Sequence, residues 1–154
     1  MPVGLVVAAV AGLLHAAVSA YWAAGGDWLL ATLGTAIVER FADVRWVLWV
    51  VAAVKVAAAL GPLVLHRLGW PLRVLTRGAC WAGAAVLVVW GGLNTVVGSL
   101  VLGGVIRPEG GYDRPGMLGH AFLWDPLFLV WGLSLAAGLL RSRARASMYP
   151  AGYA

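Results

Sequence analysis

The chain has 154 residues, of which 62% are apolar and only 11% are charged. Soluble domains have about 45–50% apolar and about 25% charged residues, so this composition excludes an ordinary soluble domain and indicates an integral membrane protein. The net charge of +5 does not indicate nucleic-acid binding, because the basic residues lie in short loops between apolar runs. Cys80 is the only cysteine, which excludes an intrachain disulfide and a CxxC redox pair.

Four runs are apolar and long enough to cross a bilayer as helices, which takes about 20 residues. They lie at about 3–24, 46–65, 79–105 and 118–140. The sequence therefore predicts an all-α integral membrane protein, a four-transmembrane-helix bundle in a single domain over 1–141, followed by a short cytoplasmic tail at 142–154. The first run could instead be a signal peptide, with Val18-Ser19-Ala20 as its cleavage site. It has no basic residue before Arg40 and exceeds the usual apolar region, so we expect it to be retained.

The loop after the first span is patterned. Apolar residues recur there at helical spacing, at Leu30, Leu33, Ile37, Phe41 and Val44, and Trp28 and Trp46 bracket them. This pattern predicts a short amphipathic helix that lies on the outer membrane surface. The other outer loop, 106–117, is rich in Gly and Pro and predicts turns.

The basic residues are distributed unequally between the two sides of the predicted bundle. One side, the 66–78 loop and the tail, carries six arginines and no acid: Arg67, Arg73, Arg77, Arg141, Arg143 and Arg145. The loops at 25–45 and 106–117 carry four arginines and five acids. Because basic residues favour the cytoplasmic side, we expect a multi-pass plasma-membrane protein with both termini in the cytoplasm and these two loops outside.

Four polar side chains lie inside the spans: His15, Lys55, Asn94 and Asp125. Each is roughly 10–15 Å from the outer surface at 1.5 Å per helical residue. Each also shares a helical face with small residues, which mark contacts between membrane helices, so we expect all four to point into the bundle. A charge at the bilayer centre costs about 2.5–3.5 kcal/mol, and we therefore expect Lys55 and Asp125 to pair.

Several of these residues have a purely structural alternative. Asp125 could be the N-cap of a helix that starts at Pro126, or the proline could kink or interrupt a longer helix. Lys55 could serve merely to balance a charge, or its side chain could extend to the surface. His15 and Asn94 could serve merely to form hydrogen bonds between helices. Trp90 and Trp131 lie deep enough in their spans to wall a pocket.

The clustering favours an outward-facing intramembrane pocket that binds a lipid-soluble small molecule. Its expected binding residues are His15, Tyr21, Trp22, Lys55, Trp90, Asn94, Trp124 and Asp125. The first alternative is an intramembrane enzyme, for example an isomerase or cyclase of an isoprenoid-like substrate, with Asp125 as general acid or base and His15 or Lys55 tuning it. The second is a structural or assembly subunit. Expected partners are membrane lipid and a hydrophobic small molecule, with a homo-oligomer left open.

No metal and no cofactor are expected. The chain has three histidines, of which His66 lies on the far side of the bundle from His15 and His120. It contains no HExxH motif, no phosphate-binding loop and no GxSxG motif.

Two stretches, LLHAAVSAYWAAGGDW at 13–28 and FLWDPLFLVWG at 122–132, resemble domain-of-unknown-function family 3995, a family of small four-span bacterial membrane proteins. The resemblance rests on ten residues: His15, Tyr21, Trp22, Gly25, Gly26, Trp28, Trp124, Asp125, Pro126 and Gly132. The middle of the chain, 46–105, is similar only in hydropathy. The resemblance implies a four-helix membrane fold and assigns no activity.

Overall fold

A computed structural model describes the backbone of residues 1–147 and the side chains of residues 1–142. This part of the chain is helical and contains no strand, which confirms the predicted all-α fold. The α-helices are α1 (Val3–Ala23), α2 (Thr35–Phe41), α3 (Val47–Arg67), α4 (Arg73–Leu102), α5 (Arg114–Gly119) and α6 (Asp125–Ser147). Leu30–Leu33 and Ala42–Val44 form 3₁₀ turns, and His120–Trp124 is a π-helical segment that joins α5 to α6.

Four helical segments are long and apolar enough to cross a membrane: α1, α3, α4 and the continuous stretch Arg114–Ser142. Two boundaries differ from those predicted. The third of these long helices, α4, begins at Arg73 rather than near 79. The last one, α6, continues to Ser147, so the first residues of the predicted tail are helical. Residues 148–154 of that tail lie outside the described residues. Hydropathy missed residues 73–78 at the start of α4 because they include Arg73 and Arg77.

Arg77 is buried in α4 because other groups satisfy its guanidinium. Nη1 donates to Ser142 Oγ at 2.7 Å and Nη2 donates to the carbonyl of Leu139 at 2.6 Å. The guanidinium also lies 4.9 Å from the ring centre of Trp70, within the range of a cation–π contact. These contacts fasten α4 to α6 at the end of the bundle that we expect to face the cytoplasm.

The helices are ordered α3, α1, α6 and α4 across the bundle. The main packing is of α1 on α3, α1 on α6 and α6 on α4, whereas α3 and α4 make little contact although they follow each other in the chain. An apolar groove of about 480 Å³ separates α3 from α4, and Trp131 of α6 contributes to its lining. The central helices α1 and α6 are consequently more buried than α3 and α4.

Small residues of α1 and α6 allow these two central helices to pack closely on their neighbours. The buried face of α1 includes Ala8, Ala11, Gly12, His15 and Ser19, so His15 points into the bundle as predicted. On α6, a Cβ at Gly132 would lie 2.8 Å from Val88 Cγ2 and 2.9 Å from Leu87 Cβ of α4. Glycine is therefore required at position 132 for α4 and α6 to pack at this distance.

Candidate functional site

The fourth span contains a π turn at the position where the sequence left the choice between a helix start and a kink. Asp125 has φ −76° and ψ −37°, and helical residues precede it, so Asp125 is not the N-cap of a new helix. Pro126 accounts for the π turn. In a regular α-helix its ring would clash with the carbonyl of Phe122, four residues earlier, and it has no N–H to donate to that carbonyl. The wider π turn relieves this conflict while the helix continues.

The π turn pairs His120 with Asp125. The Nδ1–H of His120 donates to Asp125 Oδ2 at 2.8 Å, and Asp125 is 1% exposed. Nε2 of the same ring lies 3.4 Å from the carbonyl oxygen of Leu33. Residues five apart point about 140° away from each other on an α-helix, whereas a π turn brings positions i and i+5 together. Sequence reasoning missed this pair, although a histidine five residues before an Asp-Pro was its signal.

Lys55 and Asp125, which we expected to pair, have separate partners. Lys55 Nζ donates to Ser19 Oγ at 2.9 Å, and the Ser19 hydroxyl donates to the carbonyl of His15 at 3.1 Å. The Nε2–H of His15 donates to the carbonyl of Trp124 at 3.1 Å. The prediction of a direct ion pair is therefore wrong, because the π turn supplies a nearer partner for the carboxylate.

Residues 28–44, which we call the outer segment, are fastened to α1 and to the fourth span. Its fixed position makes it a cover for the bundle beneath it. Three hydrogen bonds hold it: Trp22 Nε1 donates to the carbonyl of Trp28 at 2.9 Å, Trp124 Nε1 donates to Thr32 Oγ1 at 3.0 Å, and the Thr35 N–H donates to Asp113 Oδ2 at 2.7 Å.

A cavity of about 420 Å³ lies beneath the outer segment, between α1 and α3. Four residues whose spacing predicted an amphipathic helix contribute apolar side chains to it: Leu30, Leu33, Ile37 and Phe41. Trp22 of α1 and the apolar side chains of Leu48 and Val51 in α3 complete most of the wall. The hydrogen-bonding side chains besides the Trp22 indole are Ser19, Arg45 and Lys55.

The sequence-predicted residues divide between the cavity and its surroundings. Trp22 and Lys55 line the cavity. His15, Trp124 and Asp125 are buried beside it and are not part of its lining. Tyr21 is exposed, and its ring packs so closely on Gly26 that a Cβ at that position would overlap it. Sequence reasoning missed Arg45, which it counted only among the basic residues of the 25–45 loop.

Trp90 and Asn94 lie on a different side of the bundle. The buried face of α4 includes Ala84, Gly91 and Gly98. Trp90 comes directly before Gly91, and successive residues of an α-helix point about 100° apart, so Trp90 points away from this face. Trp90 is therefore 60% exposed, and it does not line the main cavity, although the sequence predicted it as a binding residue. Asn94 is half-buried and lines, with Trp90 and His120, a separate cavity of about 320 Å³.

A family model described as protein of unknown function (DUF3995) matches residues 12–135. The chain belongs to this family. The match includes both motif stretches and the middle of the chain, where the resemblance rested on hydropathy alone. No curated protein and no solved structure matches the chain. In this DUF3995 protein, the motif residues Trp22 and Trp124 form hydrogen bonds with the outer segment. The motif residues Asp125 and Pro126 directly follow the π-helical segment.

The donor set of the site suits binding of a ligand by hydrogen bonds and apolar contact. Within residues 1–142, no three His, Cys, Asp or Glu side chains come together to hold a metal ion. Lys55 can donate to an acceptor inside the main cavity. In the smaller cavity, which Asp113 also lines, His120 is a group that can exchange a proton, and Asp125 orients its ring.

Proposed function

We propose that this protein is a multi-pass integral membrane protein that binds a lipid-soluble small molecule in the cavity beneath the outer segment. The supporting observation is a cavity with mostly apolar walls and a lysine that belongs to a helix long and apolar enough to cross a membrane. Its volume of about 420 Å³ falls in the range of about 300–1,000 Å³ that is usual for ligand pockets. The apolar walls would bind hydrocarbon, and Lys55 and Ser19 would orient the polar end of the ligand.

The same proposal places the cavity near the outer surface of the plasma membrane, with both termini in the cytoplasm. The arginine distribution supports this orientation. Trp28, the first residue of the outer segment, and Trp46, two residues beyond its end, are 66% and 65% exposed. Indole rings favour the boundary between lipid and water, so these two residues support an outer segment that lies in the membrane interface.

Photolabelling with a neutral lipid probe tests the proposal. A hexadecanol that carries a diazirine is irradiated with the detergent-purified protein, and the labelled peptides are mapped by mass spectrometry. We expect labels on α1, the outer segment and α3. The substitution Val51→Trp fills the cavity with an indole, and a loss of about 1.4 kcal/mol in binding would reduce this labelling about tenfold.

The matched control is Val54→Trp, the same change three residues later on α3. Val54 is 62% exposed and does not line the cavity, so its labelling pattern should equal that of the wild type. Labels spread evenly over the exposed faces of the helices, or insensitive to Val51→Trp, would contradict a ligand site here and favour a structural or assembly subunit.

An intramembrane enzyme is the second candidate, and the His120–Asp125 pair favours it. A buried carboxylate that orients an imidazole is a common arrangement for general acid–base catalysis. The contact of His120 Nε2 with the Leu33 carbonyl, at 3.4 Å, is longer than a usual hydrogen bond, so a substrate could replace it. In the same photolabelling experiment, labels on Asn94, Asp113 or Met117 would favour this smaller cavity as the site.

A further inference from the structure

The cavity beneath the outer segment contains two cationic side chains and no acidic one. Lys55 and Arg45 are both part of its lining. Neither has a carboxylate oxygen within 4.0 Å among the residues that the structure describes. The acids nearest in sequence, Glu39 and Asp43 in the outer segment, are exposed and do not line the cavity. The cavity therefore carries a net positive charge inside apolar walls.

Lys55 is the deeper of the two cations. It lies eight residues into α3, roughly 12 Å from the start of the helix. An ammonium group has three N–H donors, and Ser19 accepts one of them. The ring of Phe128 lies 5.7 Å from Nζ and offers weak additional stabilisation. Two donors are left for a ligand, in surroundings where a charge without a counter-ion is unfavourable.

Arg45 lies nearer the outer surface. It lies ten positions before Lys55 in nearly continuous helical backbone, which is about 15 Å along the axis. Its Nη1 atom lies close to Gly25, just beyond the C-terminal end of α1: a Cβ added at that glycine would be 3.9 Å from Nη1. A cation at this position attracts anions towards the cavity, because apolar walls focus the field of a charge.

We propose that the cavity binds an amphiphile with an anionic headgroup, whose charged oxygens accept hydrogen bonds from Lys55 while its hydrocarbon chain contacts the apolar wall. This inference rests on the proposed function and adds the chemical class of the ligand. Both a fatty carboxylate and an acidic phospholipid have this chemistry. The charge-assisted hydrogen bonds give the selectivity for an anion over a neutral amphiphile of the same length.

Two photoreactive probes that differ only in their headgroup test the inference. One is the diazirine-bearing hexadecanol, and the other is the corresponding hexadecanoate. In maltoside micelles at neutral pH, Lys55→Met should raise the amount of hexadecanoate needed for half-maximal labelling by about tenfold or more, as expected for a lost hydrogen bond between charged groups. The same substitution should change the value for hexadecanol by less than about twofold.

Two further variants complete the design. Lys55→Arg keeps the charge and should retain the preference for hexadecanoate. Arg40→Met removes an exposed arginine of α2 that does not line the cavity, and it should leave both probes unchanged. If Lys55→Met fails to fold, Lys55→Gln replaces it, and unchanged hexadecanol labelling confirms that the cavity is intact.

The outcomes separate this inference from the proposed function. Cavity labelling by both probes that does not change in Lys55→Met would overturn the anionic ligand and leave the binding function standing. No cavity labelling by either probe would overturn both. Competition against the hexadecanoate probe then distinguishes the sources of the anion: phosphatidylglycerol displaces it at a lower concentration than unlabelled hexadecanoate if the ligand is an acidic phospholipid, and the order is reversed if the ligand is a fatty carboxylate.

Discussion

Asp125 has one hydrogen-bond partner among the described side chains, and that partner is His120 rather than Lys55. A hydrogen bond to a charged group contributes about 1.5–3 kcal/mol. We therefore expect Asp125→Asn to lower the free energy of unfolding of the detergent-purified protein by about that amount. In a double-mutant cycle, Asp125→Asn and His120→Gln should be coupled by about 1 kcal/mol or more, since neither side chain has its native partner once the other is changed.

The matched cycle combines Asp125→Asn with Lys55→Met. Lys55 bonds Ser19 and has no direct contact with the carboxylate, so the two losses should add to within about 0.5 kcal/mol. Denaturant titration of the two single variants and the double variant measures both cycles. Additive losses for His120 and Asp125, or strong coupling between Lys55 and Asp125, would contradict the pairing seen in the structure.

At the level of single residues, the sequence predicted burial better than it predicted partners. Helical periodicity alone places His15 on the inner face of α1, because His15 recurs in register with the small residues of that face. The partner of Asp125 depended on the π turn, which changes the angle between positions 120 and 125. Periodicity assumes a regular helix, so it could not predict this pair.

At the level of elements, Arg77 shows where hydropathy fails. The basic residue shortened the predicted third span, whereas the structure buries it between α4 and α6. Removing its two hydrogen bonds leaves the Leu139 carbonyl without this donor. We expect Arg77→Met to lower the free energy of unfolding by about 2–3 kcal/mol, measured by denaturant titration in detergent.

The control for this prediction is Arg73→Met, one turn earlier on the same helix. Arg73 is exposed, and surface substitutions usually change stability by less than about 0.5 kcal/mol. Arg77→Lys should recover only part of the loss, because an ammonium cannot reproduce the fork of a guanidinium. Equal effects of Arg73→Met and Arg77→Met would show that the charge matters and the contact does not.

At the level of the whole molecule, four apolar runs predicted four long helices, but not their arrangement. In the order α3, α1, α6, α4, the helices α1 and α3 pack on each other, and the cavity lies at one end of this pair, where the outer segment covers it. This cover depends on hydrogen bonds between residues far apart in the chain, such as Trp124 with Thr32. Spacing within one helix contains no information on such contacts, so Arg45 could not be assigned to the cavity from the sequence.

The orientation of the bundle decides which side of the membrane the cavity faces. On a Cys80→Ser background, single cysteines at Glu109 and Leu68, both exposed in loops at opposite ends of the bundle, report the two sides. Because arginines favour the cytoplasm, we expect a membrane-impermeant maleimide to label Glu109→Cys in intact cells. Leu68→Cys should react only after the membrane is permeabilised. The reverse pattern would place the outer segment and its cavity in the cytoplasmic leaflet, where Lys55 and Arg45 would meet ligands from inside the cell.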